Sequence, residues 1–194
     1  MNEPKMWRVF CAIAIPGDVR QRIREHIDSL VRSIPDVKAS WTNPDNIHLT
    51  LKFLGNTAVD RIPAISEAAA AAKNELKTFS IHISSCGVFP GRSRAKVLWI
   101  GVDDVSGGLS RLQQRLEIEC EERDFPKEER CFKPHLTIAR LRGGHDSRTL
   151  ADAHLGAEFP AQTVTVAELI VFRSELSSHG SKYTAISKHL LSER

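Results

Sequence analysis

The chain has 194 residues, 41% of them hydrophobic and 26% charged, with a net charge of +3. That much apolar material can bury a substantial core, which excludes a linker or tail, and the mild positive charge falls short of a dedicated nucleic-acid binder while allowing a nucleotide or RNA substrate. Trp7–Ile15 is apolar but too short to span a bilayer and carries no signal-type cleavage site; Cys11, Cys86, Cys120 and Cys131 are widely spaced without a C-x-x-C pair. Neither a membrane anchor, a zinc site nor a disulfide framework is indicated, and the expected setting is the reducing cytoplasm.

Arg8–Ile15 reads as a buried strand stopped by Pro16-Gly17. Asp18 opens a helix in which Val19, Ile23, Ile27, Leu30, Val31 and Ile34 form one apolar stripe, ended by Pro35. Ala39–Thr42 is a short extended piece before the turn Asn43-Pro44-Asp45, and Ile47–Gly55 is a strand. Asp60–Leu76 is helical by its alanine run, Phe79, Ile81 and Ile83 alternate as a strand, and Phe89–Arg94 is a basic loop. A similar order then begins again. Lys96–Val102 is a strand, Ser106–Arg123 a helix, Pro134–Arg140 a strand, Gly143-Gly144 a turn and Arg148–Leu155 a short helix. Two last strands, Val164–Arg173 and Lys182–Ser187, are joined by the turn Ser177-Ser178-His179-Gly180.

The tripeptide His-Leu-Thr occurs twice, at His48-Leu49-Thr50 and His135-Leu136-Thr137, 87 positions apart and each inside a strand. Side chains two apart in a strand share a face. His and Thr therefore point one way, while Leu49 and Leu51, or Leu136 and Ile138, point the other. The repeated order implies an internal duplication: two similar lobes related by a pseudo-twofold, each supplying one His-Leu-Thr strand to a cleft between them. No linker separates the halves, so residues 1–194 are expected to form one compact bilobal domain.

Two imidazoles facing a phosphate can act as base and acid near neutral pH. The two threonine hydroxyls, and a cation such as Arg140, can hold the non-bridging oxygens. That chemistry needs neither a metal nor a cofactor, and the chain has no H-E-x-x-H, no Walker glycine loop and no G-x-S-x-G. The remaining histidines are expected elsewhere. His26 falls on the charged side of its helix, His82 faces away from the apolar side of its strand, and His145, His154 and His189 lie in polar, solvated segments. His179 sits in a turn that can line a cleft mouth. Trp41 can stack on a base, whereas Phe53 shares parity with Leu49 and Leu51 and is expected in the core. Cys11 and Cys86 are expected to be buried free thiols.

The paired His-x-Thr motifs resemble those of the 2H phosphoesterase superfamily, and within it the bacterial and archaeal RNA 2′,3′-cyclic phosphodiesterases, also described as 2′-5′ RNA ligases. The resemblance runs from Arg8 to Ser187 through RVFCAIAI, NIHLTLKFLG, GVFP, KVLWIGV, KPHLTIAR and ELIVFRSELSSHGSKYTAI. It implies an α+β fold of two pseudo-twofold-related antiparallel sheets with outer helices and a central groove. It also implies metal-independent hydrolysis of a terminal 2′,3′-cyclic phosphate, on RNA ends such as tRNA halves or on nucleosides, to a 2′-phosphomonoester by a monomeric enzyme. His48, Thr50, His135 and Thr137 would be the active quartet, with His48 the proton donor, His135 the proton acceptor and Arg140 a phosphate contact. The same groove run in reverse would join a cyclic end to a 5′-hydroxyl. A non-catalytic binder of RNA ends is the alternative from another class.

Overall fold

The computed structural model describes residues 4–143, 145–177 and 180–193. Met1–Glu3, Gly144 of the predicted glycine turn, and His179 at the expected cleft mouth lie outside the described residues. Among the described residues, nine strands and four α-helices follow in the order β1 (Met6–Ala14), α1 (Gly17–Ser33), β2 (Ala39–Trp41), β3 (His48–Ala58), α2 (Ile62–Ala72), β4 (Phe79–Phe89), β5 (Val97–Asp103), α3 (Gly108–Glu121), β6 (His135–Leu141), α4 (His145–Gly156), β7 (Gln162–Val166), β8 (Glu168–Ser177) and β9 (Gly180–Leu190). None of the described helices is long and apolar enough to cross a membrane.

The strands form two antiparallel sheets, one of order β3-β1-β8-β9 and one of order β2-β6-β5-β4-β7. This is the expected α+β architecture with one His-Leu-Thr strand in each sheet. The sheets do not coincide with the sequence halves. Strand β4, from the first half, pairs with β5, and β8, from the second half, pairs with β1. The predicted strand Val164–Arg173 is for this reason two strands. It divides at Ala167, where the chain leaves β4 and crosses to β1.

The core follows the predicted stripes. Helix α1 buries Val19, Ile23, Ile27 and Leu30 along one side, with Asp18 in its first turn and Arg32 in its last, each complementing the helix dipole. Helix α2 buries Ile65, Ala68, Ala69 and Ala72, and α3 buries Leu109, Leu112, Leu116 and Cys120. The small alanines let α2 lie close to α3. Val31, expected on the stripe of α1, is instead exposed, because the covered face ends beside Leu30.

Among the described residues, one charged pair is inside. Lys52 donates to Glu117 and to the Pro126 carbonyl, with the side chains of Lys52 and Glu117 3% and 6% exposed. Glu117 also accepts from Gln113 and from the Glu128 N–H, so both of its carboxylate oxygens are engaged. It ties β3 to α3 and to the chain after it. Removing one partner leaves an uncompensated buried charge. Glu117→Ala is therefore expected to cost about 3–5 kcal/mol in urea unfolding. Lys52→Met combined with Glu117→Leu should recover most of that loss.

Candidate active site

Each His-Leu-Thr strand carries a β-bulge three residues after its histidine. Ala12 pairs with Thr50 and Cys11 with Lys52, so Leu51 is the extra residue of β3. Trp99 pairs with Thr137 and Leu98 with Ala139, so Ile138 is the extra residue of β6. A bulge reverses the facing of everything beyond it. His48 and Thr50 point into the groove, Lys52 turns to the core, and Phe53 returns to the groove side. Likewise His135 and Thr137 point into the groove, Ala139 is buried, and Arg140 returns to the groove side. Phe53 is thus not a core residue as parity predicts. It is 50% exposed and lines the groove, with the Arg8 guanidinium 4.8 Å above its ring.

The groove between the sheets has a volume of about 590 Å³, in the range of small-molecule sites. His48, Thr50, His135, Thr137 and Arg140 all line it, so every residue expected at the site is brought together. Trp41 is also there, as the stacking reading requires. The structure adds residues that motif reading did not name: Arg8 and Phe10 on β1, Ser40 and Thr42 beside Trp41, Ser174 on β8, and Tyr183 on β9. Arg8 and Phe10 share one face of β1; Arg8 is exposed, but Phe10 lies in a continuous buried run, so alternation gave no signal for it. No aspartate or glutamate lines the groove among the described residues.

Both histidines are held the same way. His48 Nδ1 lies 2.7 Å from the Asn46 carbonyl, and His135 Nδ1 lies 2.7 Å from the Lys133 carbonyl. A carbonyl can only accept, so each Nδ1 carries the proton and each Nε2 is left to exchange protons with a ligand. Asn46 is itself tied down, since its side chain donates to the Ser181 carbonyl of β9 at 2.5 Å.

Their surroundings differ. The His48 ring lies 4.6 Å from Phe10 and meets Tyr183 edge-on at 5.1 Å. Burial in this aromatic cradle holds the His48 imidazole below its ordinary value, with the Asn46 carbonyl partly opposing the shift. His135 is in a more open position, with Phe89 edge-on at 5.0 Å and Trp99 at 6.4 Å. Trp99 in turn lies flat on Gly87, where a Cβ would fall 2.0 Å from the indole ring.

A sequence model of the 2′-5′ RNA ligase superfamily matches residues 19–177. The chain belongs to that superfamily. Among curated superfamily members, the RNA 2′,3′-cyclic phosphodiesterase of Aquifex aeolicus is 31% identical over 180 residues, covering 90% of each chain. Another protein of that name, from Methanothermobacter thermautotrophicus, is 29% identical over 181 residues, covering 91% of this chain and 95% of its own. The fold is shared with solved structures. Escherichia coli LigT complexed with 3′-AMP superposes with a TM-score of 0.76 at 23% identity, covering 97% of this chain and all of LigT. A protein of Thermus thermophilus gives the same TM-score and identity over 96% of this chain and 99% of its own.

Several other histidines are not where sequence reading puts them. His154 is fully buried and its Nε2 lies 3.0 Å from the Trp99 carbonyl, while half-buried His26 is 3.0 Å from His154 Nδ1. Both were expected in solvent. Helix α4 begins earlier than predicted and packs His154 inward, where α1 meets it. His189 is half-buried and bonded to Ser187, and His82 faces Thr163 at the sheet surface, as its parity implies. Cys86 is half-exposed and not fully buried. The side chain of His145 lies outside the described residues.

The Gly87–Trp99 contact gives a test of how His135 is placed. Gly87→Ala is expected to cost about 1–3 kcal/mol by overpacking and to push the Trp99 ring toward His135. In histidine NMR spectra the His135 ring signals should move while those of His48 stay. Movement of both sets would mean a general loss of structure.

Proposed function

We propose that this protein hydrolyses 2′,3′-cyclic phosphate ends of RNA, or nucleoside 2′,3′-cyclic phosphates, by histidine acid–base catalysis without a metal. One observation carries the proposal: two equivalent His-Thr pairs stand on opposite walls of one groove, each imidazole pinned through Nδ1 so that Nε2 is free. The curated relatives named for this reaction support it across most of the chain. The groove also offers two arginines, Arg8 and Arg140, and no carboxylate among the described residues. That donor set suits an anion and not a divalent cation, which calls for carboxylate or several converging imidazole ligands.

In the proposed reaction His135 takes a proton from water as the water oxygen bonds to phosphorus. The bond from phosphorus to the ribose 3′-oxygen breaks, and His48 donates a proton to that oxygen. The product is a 2′-phosphomonoester. Thr50, Thr137 and Arg140 hold the non-bridging oxygens as charge builds on them. Trp41 and Phe53 present flat apolar surfaces to a base. The same groove in reverse joins a cyclic end to a 5′-hydroxyl, as reversibility requires. We infer that the 194 residues act as one bilobal domain with an internal duplication and work as a monomer, because the groove is completed within one chain. The free cysteines suit a cytoplasmic setting.

The test is incubation with a nucleoside 2′,3′-cyclic phosphate in EDTA, read by phosphorus NMR. Hydrolysis to the 2′-monophosphate is expected. Activity that disappears with the chelator and returns with a divalent ion would refute the metal-free mechanism, and a 3′-monophosphate would refute His48 as donor. His48→Ala and His135→Ala should each lower turnover by roughly 10²–10⁴-fold while retaining most ligand affinity. Their effects should not multiply, because both act in one step. Thr50→Ala and Thr137→Ala should lose on the order of 10–10³-fold and stay folded by circular dichroism. A pure binding protein would show no turnover for these variants to lose.

The pH profile follows from the placement of His48. As the donor it must be protonated, so kcat/KM should fall as pH rises through its value in the free protein. Burial holds that value below the ordinary 6.5. The alkaline limb of kcat/KM should therefore lie below 6.5. A bound phosphate anion favours the imidazolium, so the alkaline limb of kcat should lie at higher pH. Coinciding limbs would count against a buried donor that relies on its substrate's charge.

A further inference from the structure

Outside the groove, three metal-ligating side chains converge from elements distant in sequence: His26 of α1, Cys86 of β4 and His154 of α4. Their ligand atoms all lie within 4.8 Å of one another, and this is the only such group among the described residues. His26 Nε2 is 3.0 Å from His154 Nδ1 and 3.9 Å from Cys86 Sγ. We propose that His26, Cys86 and His154 form a binding site for a divalent transition metal of borderline softness, with zinc the best fit. A tetrahedral zinc ion with ordinary bond lengths sets its nitrogen ligands about 3.4 Å apart and nitrogen and sulfur about 3.6 Å apart. The two separations from His26 are within a few tenths of an ångström of those values, and the third, between Cys86 and His154, is within 4.8 Å.

Two features aim these groups. His154 points its Nε2 at the Trp99 carbonyl, which fixes that proton and leaves Nδ1 turned toward the other two ligands. A backbone carbonyl behind an imidazole is the usual way a protein orients a metal-binding histidine. Cys86 follows a bulge in β4 at Ser85, whose φ is 63°, a left-handed conformation that is costly for a residue with a Cβ. Gly101 makes room for it, since a Cβ there would fall 2.4 Å from Ser85 Oγ. The bulge turns Cys86 toward His26. Without a metal, His26 Nε2–H donates to His154 Nδ1. With one, the His26 proton moves to Nδ1, the Cys86 thiol proton leaves to solvent, and three protein ligands hold the ion. The half-exposed sides of His26 and Cys86 leave a fourth position for water. Affinity should rise with pH, because a thiol must ionise.

The ion would fasten α1, which follows a strand of the first sheet, to β4 and α4 on the second. Its effect is therefore on stability. None of its ligands lines the groove, so it is separate from the proposed catalysis.

The experiment is a cobalt(II) titration of the full-length, reduced protein, with zinc as competitor. Expected are a thiolate-to-cobalt charge-transfer band saturating at one equivalent, its loss on adding zinc, and a rise in Tm of about 5–10 °C at saturating zinc. Cys86→Ser should abolish the band, and His26→Gln should weaken binding at least tenfold; both should retain the wild-type circular dichroism and hydrolyse a cyclic phosphate within twofold of wild type. His48→Ala and Cys131→Ser should bind as wild type does. Absence of the band, its persistence in Cys86→Ser, or unchanged affinity in His26→Gln would overturn the site. Should Cys86→Ser not fold, Cys86→Ala and His26→Gln decide the matter in the same way. Because hydrolysis is read in the same samples, failure of the metal site and failure of the hydrolase reading are separate results.

Discussion

The bulge at Leu51 in β3 and its counterpart at Ile138 in β6 are the constraint on which the groove depends. An unbroken strand would set its side chains alternately on two faces along its whole length. After each His-Leu-Thr that rule is interrupted at the same offset in both strands, and β3 has a second irregularity at Leu54. The interruption does opposite jobs on its two sides. In β3 it sends Lys52 inward to Glu117 and brings Phe53 out to the groove. In β6 it buries Ala139 and brings out Arg140. The two lobes thus use one backbone device to place an aromatic ring on one wall and a guanidinium on the other.

Backbone equivalence coexists with unequal surroundings. The carbonyl two residues before each histidine orients both rings alike. The aromatic neighbours then separate them. Phe10 and Tyr183 enclose His48, and desolvation there penalises the charged ring, whereas His135 leans on Phe89 and Trp99 at a more open position. The proposed division into acid and base would draw on this difference in surroundings. Pseudo-symmetry supplies the pair, and the departure from symmetry supplies the difference between its members.

The strand exchange makes the lobes interdependent. Each sheet contains strands from both halves of the chain, so neither half can complete its sheet alone. Hydrogen bonds of β1 with β8, and of β5 with β4, therefore join the two halves of the chain within each wall of the groove. The Asn46 link to Ser181 adds a bond across elements 135 residues apart, directly behind His48. The proposed reaction needs such fixed placement, since an acid and a base would have to meet one phosphate.

The division between what was readable in the chain and what was not follows the range of each interaction. Helix stripes, strand alternation and the shared face of His and Thr arise within a few residues. Local order was therefore enough to set most of the elements and the two His-Leu-Thr strands, and the resemblance carried by those motifs added the α+β class and the central His-Thr residues. Strand register is a matter of which distant residues pair, and local pattern carries no record of it. It took the assembled sheets to show that β4 and β8 change sheets, that Val164–Arg173 is two strands, and that a bulge puts Phe53 in the groove. The same holds for His154, whose polar neighbours suggest solvent but whose ring is buried where α4 meets α1 and the Trp99 carbonyl. Positions 26, 86 and 154 have no motif spacing, because the elements that carry them meet only when the sheets are assembled.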